Sequence, residues 1–163
     1  EYMTDYGKET YLSRLSPMMQ GSTAVQSLEI GELILVGVDN SPGQVNEDAF
    51  PLCEELMAQC KPVVVLNHVP YAAEELLPKA VEAWGSPTVI GNGNGGGIWP
   101  DDISQRFMDL VTAEGSPVKL VLAGHVHLYD EEMLDEELQL RQIVGAPAYE
   151  GCAVLIRVKG SAE

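Results

Sequence analysis

The sequence predicts an α/β domain built on a mixed β-sheet with flanking helices. Three observations lead there. Runs rich in Leu, Ile and Val recur at 33–39, 63–66 and 118–124, that at 63–66 uniformly apolar and β-branched, as expected of strands buried inside a sheet. Between them, apolar residues follow the 3.6-residue period of helices packed on one side. The order strand, helix, strand, helix, strand, hairpin then argues for a mixed sheet. At 163 residues the chain suits a single domain, able to bury roughly two-thirds of its unfolded surface.

Residues 1–22 form a polar, mixed lead-in, with a short helix expected around Glu9 to Leu15, and residues 23–159 form the core. "AVQSLEI", a glycine at 31 and "ELILVGVD" predict a hairpin feeding a buried strand. "SPGQVNED" is turn chemistry, and Asn46 is expected to cap a helix with Ala49, Phe50, Cys53, Leu56, Met57 and Cys60 on its inner face. Lys61 and Pro62 end that helix before the strand "VVVL", whose exit is Asn67-His68-Val69-Pro70. A helix follows from about Ala73 to Trp84, started or interrupted at Pro78, and "PTVI" reads as a short strand. "GNGNGGG", 91–97, is expected to be a flexible loop because glycine carries the highest ordering cost. Asp101 caps a helix running to about Glu114, with Ile103, Phe107, Leu110 and Val111 facing inward. After the strand "VKLVLAG" comes an acidic stretch, 130–137, expected to be a solvated loop. "LQLRQIV" and "CAVLIRV" then predict a closing hairpin across "GAPAYEG".

Charge narrows the function classes. With nine basic residues against twenty-five acidic ones, a net charge of −16, the chain lacks the Lys and Arg clusters that displace counterions from phosphates, so nucleic acid is not an expected partner. No run approaches the roughly 20 apolar residues of a membrane helix, and the expected location is the cytoplasm. Cys53, Cys60 and Cys152 are odd in number and lack metal-site spacing, so they read as reduced, partly buried thiols, with Cys53 and Cys60 sharing a helix face. An anionic substrate would need something other than the overall field to attract it, such as metal ions.

All three histidines follow buried strands: His68 after "VVVLN", and His125 and His127 after "LVLAG". The carboxyl ends of strands in an open α/β sheet face the ligand crevice, so the three are expected to converge. Any one alone reads as a hydrogen-bonded structural residue. The His-x-His pair, placed on one side of an extended segment, suits two bonds to one metal or one bond to each of two. It does not fit a β-lactamase-type HxHxDH site, because Asp130 comes one position late and no histidine follows it. An amidohydrolase barrel needs far more chain.

Gly124-His125-Val126-His127 resembles the GHxH signature of the calcineurin-like metallophosphoesterases. His68, after a β-branched strand and before Val-Pro, resembles that family's preceding isolated metal histidine. The resemblance spans about 24–158, with both motifs in the family's order and context. It implies that His68 and His125 bind the second metal of a dinuclear centre and His127 the first, with Mn, Fe or Zn as the metals. It implies hydrolysis of a small phosphate mono- or diester, assisted by two cations roughly 3.5–4 Å apart. The fold it implies is the C-terminal half of a four-layer αββα sandwich.

The family's DxH, GDxxD and GNH(E/D) motifs have no counterpart in this sequence, which has no fourth histidine. The chain opens Glu1-Tyr2, matching the acidic and aromatic residues that come after GNH in family members, so it is expected to be the C-terminal part of a longer phosphoesterase. On that expectation the catalytic residues lie upstream, this part alone hydrolyses little or nothing, and the two metal ions belong to the full-length protein. Its exposed sheet would favour self-association. The alternative is a non-catalytic binding scaffold with a degenerate centre.

Other features carry bland readings. The glycine run lacks the Lys-Ser/Thr of a phosphate-binding loop, so a mobile surface loop is favoured, able to act as a lid beside Ile98 and Trp99. Asp39-Asn40 can line the pocket or open an Asx turn. A hydrogen bond from Asp130 to a ligating histidine is the less favoured role for that residue.

Overall fold

The computed structural model describes residues 22–91 and 97–159. The expected helix at Glu9 to Leu15 and the middle of the glycine run lie outside the described residues. Six strands, β1 (Val25–Ile30), β2 (Leu33–Val38), β3 (Val63–Leu66), β4 (Val118–Ala123), β5 (Asp130–Asp135) and β6 (Leu140–Val144), form one sheet in the order β1-β2-β3-β4-β6-β5. β2, β3, β4 and β6 run parallel, with β1 and β5 antiparallel at the two edges. This is the mixed α/β sheet expected from the sequence. Helix α1 (Ala49–Met57) connects β2 to β3, and α2 (Leu76–Trp84) and α3 (Asp102–Val111) lie between β3 and β4.

β2 alternates buried Ile34, Val36 and Val38 with partly exposed Leu33, Leu35 and Gly37, so one sheet face is fully covered and the other only partly. The covered face packs Phe50, Cys53 and Met57 of α1 and Phe107 and Val111 of α3 against Val63, Val65 and Val121. Ile103 and Leu110, expected to face inward, pack at the margin of this core. A second cluster joins Leu76 and Ala80 of α2 to Val89, Val126 and Val144. At the β1 edge, Leu28 and Ile30 are more than half exposed, at 58% and 55%.

Several sequence expectations need correction. The closing hairpin is β5 with β6, not "LQLRQIV" with "CAVLIRV"; residues 152–159 form no strand, and Val154, Leu155 and Val158 are exposed. The acidic stretch is therefore an edge strand, a place where charged side chains are tolerated because one side faces water. Two contacts hold it. Asp130 is buried in an ion pair with Lys79 of α2 at 2.6 Å, while Glu132 accepts the backbone N–H groups of Glu75 and Leu76 at 3.1 and 2.9 Å, capping α2 from across the sheet.

α1 stops at Met57, so Cys60 falls beyond it with φ 57° and is exposed, as is Cys152; Cys53 alone is buried, and desolvation pushes its thiol up to about 12. Asn46 does not cap α1. It closes an Asx turn on the Asp48 N–H at 3.0 Å, and Asp48 holds the cap position. α2 begins at Leu76, with Pro78 in the first turn where its missing N–H has no helical partner to lose. "PTVI" reduces to single bridges from Ile90 to Tyr71 and Ile98. Asp101 does cap α3, accepting from the Ser104 N–H at 2.7 Å, but the helix ends at Val111.

Gln142, buried on β6, accepts the Tyr71 N–H through Oε1 and donates through Nε2 to the Tyr71 carbonyl, both at 2.9 Å. This clamps the segment following His68 to the sheet. Gln142→Leu leaves both backbone groups buried and unpaired, and is expected to lower stability by about 3 kcal/mol in urea denaturation. An unchanged midpoint would show that the clamp carries no stability.

Candidate functional site

The site begins where parallel strands β3 and β4 end side by side. Beyond β3 the backbone is held from both neighbours. The Asn67 N–H donates to the Leu122 carbonyl at 2.9 Å, and the Gly124 N–H donates to the His68 carbonyl at 3.1 Å. From β2 the buried Asn40 side chain accepts the N–H groups of His68 and Val69 through Oδ1 at 2.8 and 2.9 Å, and donates through Nδ2 to the Val69 carbonyl at 2.8 Å. Asn40 thus fixes the direction in which His68 leaves the strand. Asp39 makes the Asx turn instead, accepting from the Ser41 N–H at 3.1 Å.

After β4 the chain does not stay extended. His125 and His127 both have left-handed backbones, φ 65° and 52°, uncommon for residues other than glycine although His is among those enriched there. The buried Val126 between them anchors the bend, its N–H donating to the Gly124 carbonyl at 2.7 Å and its carbonyl accepting from Trp84 Nε1 at 2.7 Å. The expected placement of both rings on one side of an extended segment is therefore replaced by a double bend that separates them.

One ring meets His68. His125 Nδ1 lies 3.0 Å from His68 Nε2, with ring centroids 4.8 Å apart and planes at 72°. The other stands among aromatics: His127 packs edge-on against Trp84 at 5.4 Å and Tyr149 at 5.5 Å, and its Nδ1 is 3.3 Å from the Tyr149 hydroxyl. The structure brings two of the three sequence-identified histidines into contact and sets the third beside them. Asp130 takes no part, being paired with Lys79.

Two imidazole nitrogens 3.0 Å apart share either one proton or one cation. Metal–nitrogen bonds of roughly 2.0–2.1 Å at right-angled to tetrahedral openings span about 2.8–3.4 Å between donors, a range that includes the observed separation. Among the described residues, no group of three or more His, Cys, Asp or Glu side chains is arranged to hold a metal ion. The described residues offer a two-nitrogen donor set, to which further ligands must be added for a complete centre.

Burial, followed by the charges of His68 and His127, holds the His125 pKa below its ordinary 6.5. The neutral ring is therefore favoured in the fold. Between the lowered value and 6.5 the unfolded chain binds this proton more readily, so stability is retained above that window and falls as pH drops through it. The urea midpoint is expected to decrease from about pH 7.5 to about pH 5.5, and His125→Gln is expected to flatten the decrease. A His125→Gln slope equal to that of the wild type would contradict this assignment.

His125 opens onto a cleft of about 900 Å³ whose lining includes Ser41, Gln44, Val69, Thr88, Ile98 and Trp99. Among the described residues no Asp or Glu lines it, although the chain carries twenty-five carboxylates. Trp84 and Tyr149 are the contributors that sequence reasoning missed as site residues, whereas Asn40, expected as pocket lining or an Asx turn, instead supports the His68 backbone. Asn40 alone left a signal, as an amide ending a buried strand. Among the described residues no helix is long and apolar enough to cross a membrane. No model of a known protein family matches the chain, and no curated protein matches it.

Proposed function

We propose that the protein is a metal-dependent phosphoesterase, and that His68 and His125 hold one cation of its centre. The single observation behind this reading is the 3.0 Å approach of His125 Nδ1 to His68 Nε2 at the ends of adjacent parallel strands. That is where open α/β sheets bind ligands. The GHxH resemblance supplies the reaction class. When bound, paired cations of the Mn, Fe or Zn type lower the pKa of a shared water and neutralise charge developing on phosphoryl oxygens.

The chain's own residues do the positioning. Asn40 and Gly124 hold the His68 backbone, and Val126 and Trp84 hold the bend that aims His125. The neutral state of His125 keeps its ring able to donate to a cation. The carboxylate-free cleft lets an anionic ester approach a chain of net charge −16. The remaining ligands would, on this reading, come from outside the described residues. His127 would join the first metal after turning away from Tyr149. The reading is tested by assaying nitrophenyl phosphate mono- and diesters with the parent protein and with this segment. Chelator-sensitive turnover by the parent, with little or none by the segment, is expected. Parent turnover indifferent to chelation would overturn the reading.

A second reading, a binding scaffold with a degenerate centre, draws on one observation: His127 is engaged with Trp84 and Tyr149 rather than with the other two histidines. Metal analysis separates the two. The enzyme reading expects Mn, Fe or Zn in the purified parent, and the scaffold reading expects none.

A further inference from the structure

The cleft beside His125 has a construction that the histidines do not explain. Trp99 projects into it with 69% of its surface exposed, an unusual position for the largest apolar side chain. Its backbone is braced, because Gln44 donates through Nε2 to the Trp99 carbonyl at 2.8 Å and accepts the Asp101 N–H through Oε1 at 2.7 Å. The preceding residue is tied as well, with the Ile98 N–H on the Val89 carbonyl at 2.7 Å and the Gly91 N–H on the Ile98 carbonyl at 3.0 Å. Across the cleft Thr88 adopts φ 40°, a strained backbone for a β-branched residue, and its buried hydroxyl has no hydrogen-bond partner among the described residues. Val69, Pro87 and Ile98 add apolar wall, and among the described residues His125 is the only ionisable one in the lining.

We propose that this cleft is the subsite for a planar aromatic group carried by the phosphate ester, an inference that rests on the phosphoesterase reading above. An indole held by its backbone and left open to solvent offers a flat face for ring stacking. Trp99 and His125 line the same cleft, so a ring seated on Trp99 would hold its phosphate in a cavity that also reaches the histidine pair. The absence of lining carboxylates spares the anion repulsion along the way.

Equilibrium dialysis tests the subsite with three probes: naphthyl phosphate, glycerol phosphate and naphthol. Naphthyl phosphate is expected to bind about tenfold more tightly than glycerol phosphate, and Trp99→Ala is expected to erase that preference while Trp99→Phe keeps most of it. Naphthol, which lacks the phosphate, is expected to bind the wild type and to be lost in Trp99→Ala. Failure of naphthol to bind, or equal binding of naphthol and naphthyl phosphate to the wild type and Trp99→Ala alike, overturns the subsite. Trp99-dependent naphthol binding with no added affinity from the phosphate keeps the subsite and counts against the phosphoesterase reading. Trp99 is exposed, so its replacement leaves the fold intact, and circular dichroism verifies this.

Discussion

His125→Ala is expected, on the phosphoesterase reading proposed above, to reduce metal-dependent phosphoester hydrolysis by more than about 100-fold, because removing a proposed ligand costs at least as much as removing the groups that orient one. The loss should fall on kcat and on metal affinity together. The fold should survive, since the His125 ring is only half-buried and its contacts are to His68 and the cleft. His127→Ala provides the informative comparison. If His127 remains stacked between Trp84 and Tyr149, its removal leaves binding at the His68–His125 pair nearly unchanged; if it turns to join the first metal, turnover falls while that pair keeps its cation. Normal metal-dependent turnover by His125→Ala would remove the assignment altogether.

Asn40→Ala is expected to be the most damaging change outside the histidines. Its carboxamide makes three hydrogen bonds to the backbone of His68 and Val69, two of them buried and one part-buried, and alanine leaves two N–H groups without those partners while the Val69 carbonyl keeps Asn67 Nδ2 at 3.0 Å. A loss of about 3–4 kcal/mol in urea denaturation is expected, less than the sum of three unmade bonds because the strand end can relax toward water. The same relaxation frees His68 to move from His125, so metal affinity should drop although no ligand has been touched. Asn40→Asp discriminates further: it keeps the two acceptor bonds but loses the donor to Val69 and buries a charge, so it should also destabilise the protein. Wild-type stability in Asn40→Ala would show that the strand ends hold themselves.

The parallel strands were legible from their apolar, β-branched runs, "VVVL" in β3 and "VKLVLA" in β4, the latter interrupted by the exposed Lys119. Asp101 was legible as a cap because its side chain bonds locally, to Ser104 three residues on. β5 was not legible. "DEEMLD" owes its strand to contacts distant in sequence, Asp130 to Lys79 and Glu132 to the start of α2, fifty-one to fifty-seven residues away. The opposite error arose at "CAVLIRV", whose alternation suits a strand, while residues 152–159 pair with no strand of this sheet.

At the site, sequence order was enough to bring His68 and His125 together, because each follows a strand and those strands are neighbours in the sheet. The third histidine depended on backbone angles that residue types do not announce. Two left-handed residues flanking Val126 turn a two-residue repeat into a bend, and the Trp84 indole that holds the bend comes from a helix forty-two residues earlier.

Histidine-selective nitrogen-15 NMR during a zinc titration tests most directly whether His68 and His125 share a cation. The expected result is that the His68 Nε2 and His125 Nδ1 resonances shift together and saturate at one equivalent, with both responses lost in His68→Ala and in His125→Ala. Independent shifts of the two nitrogens, or none in the parent protein, would contradict it.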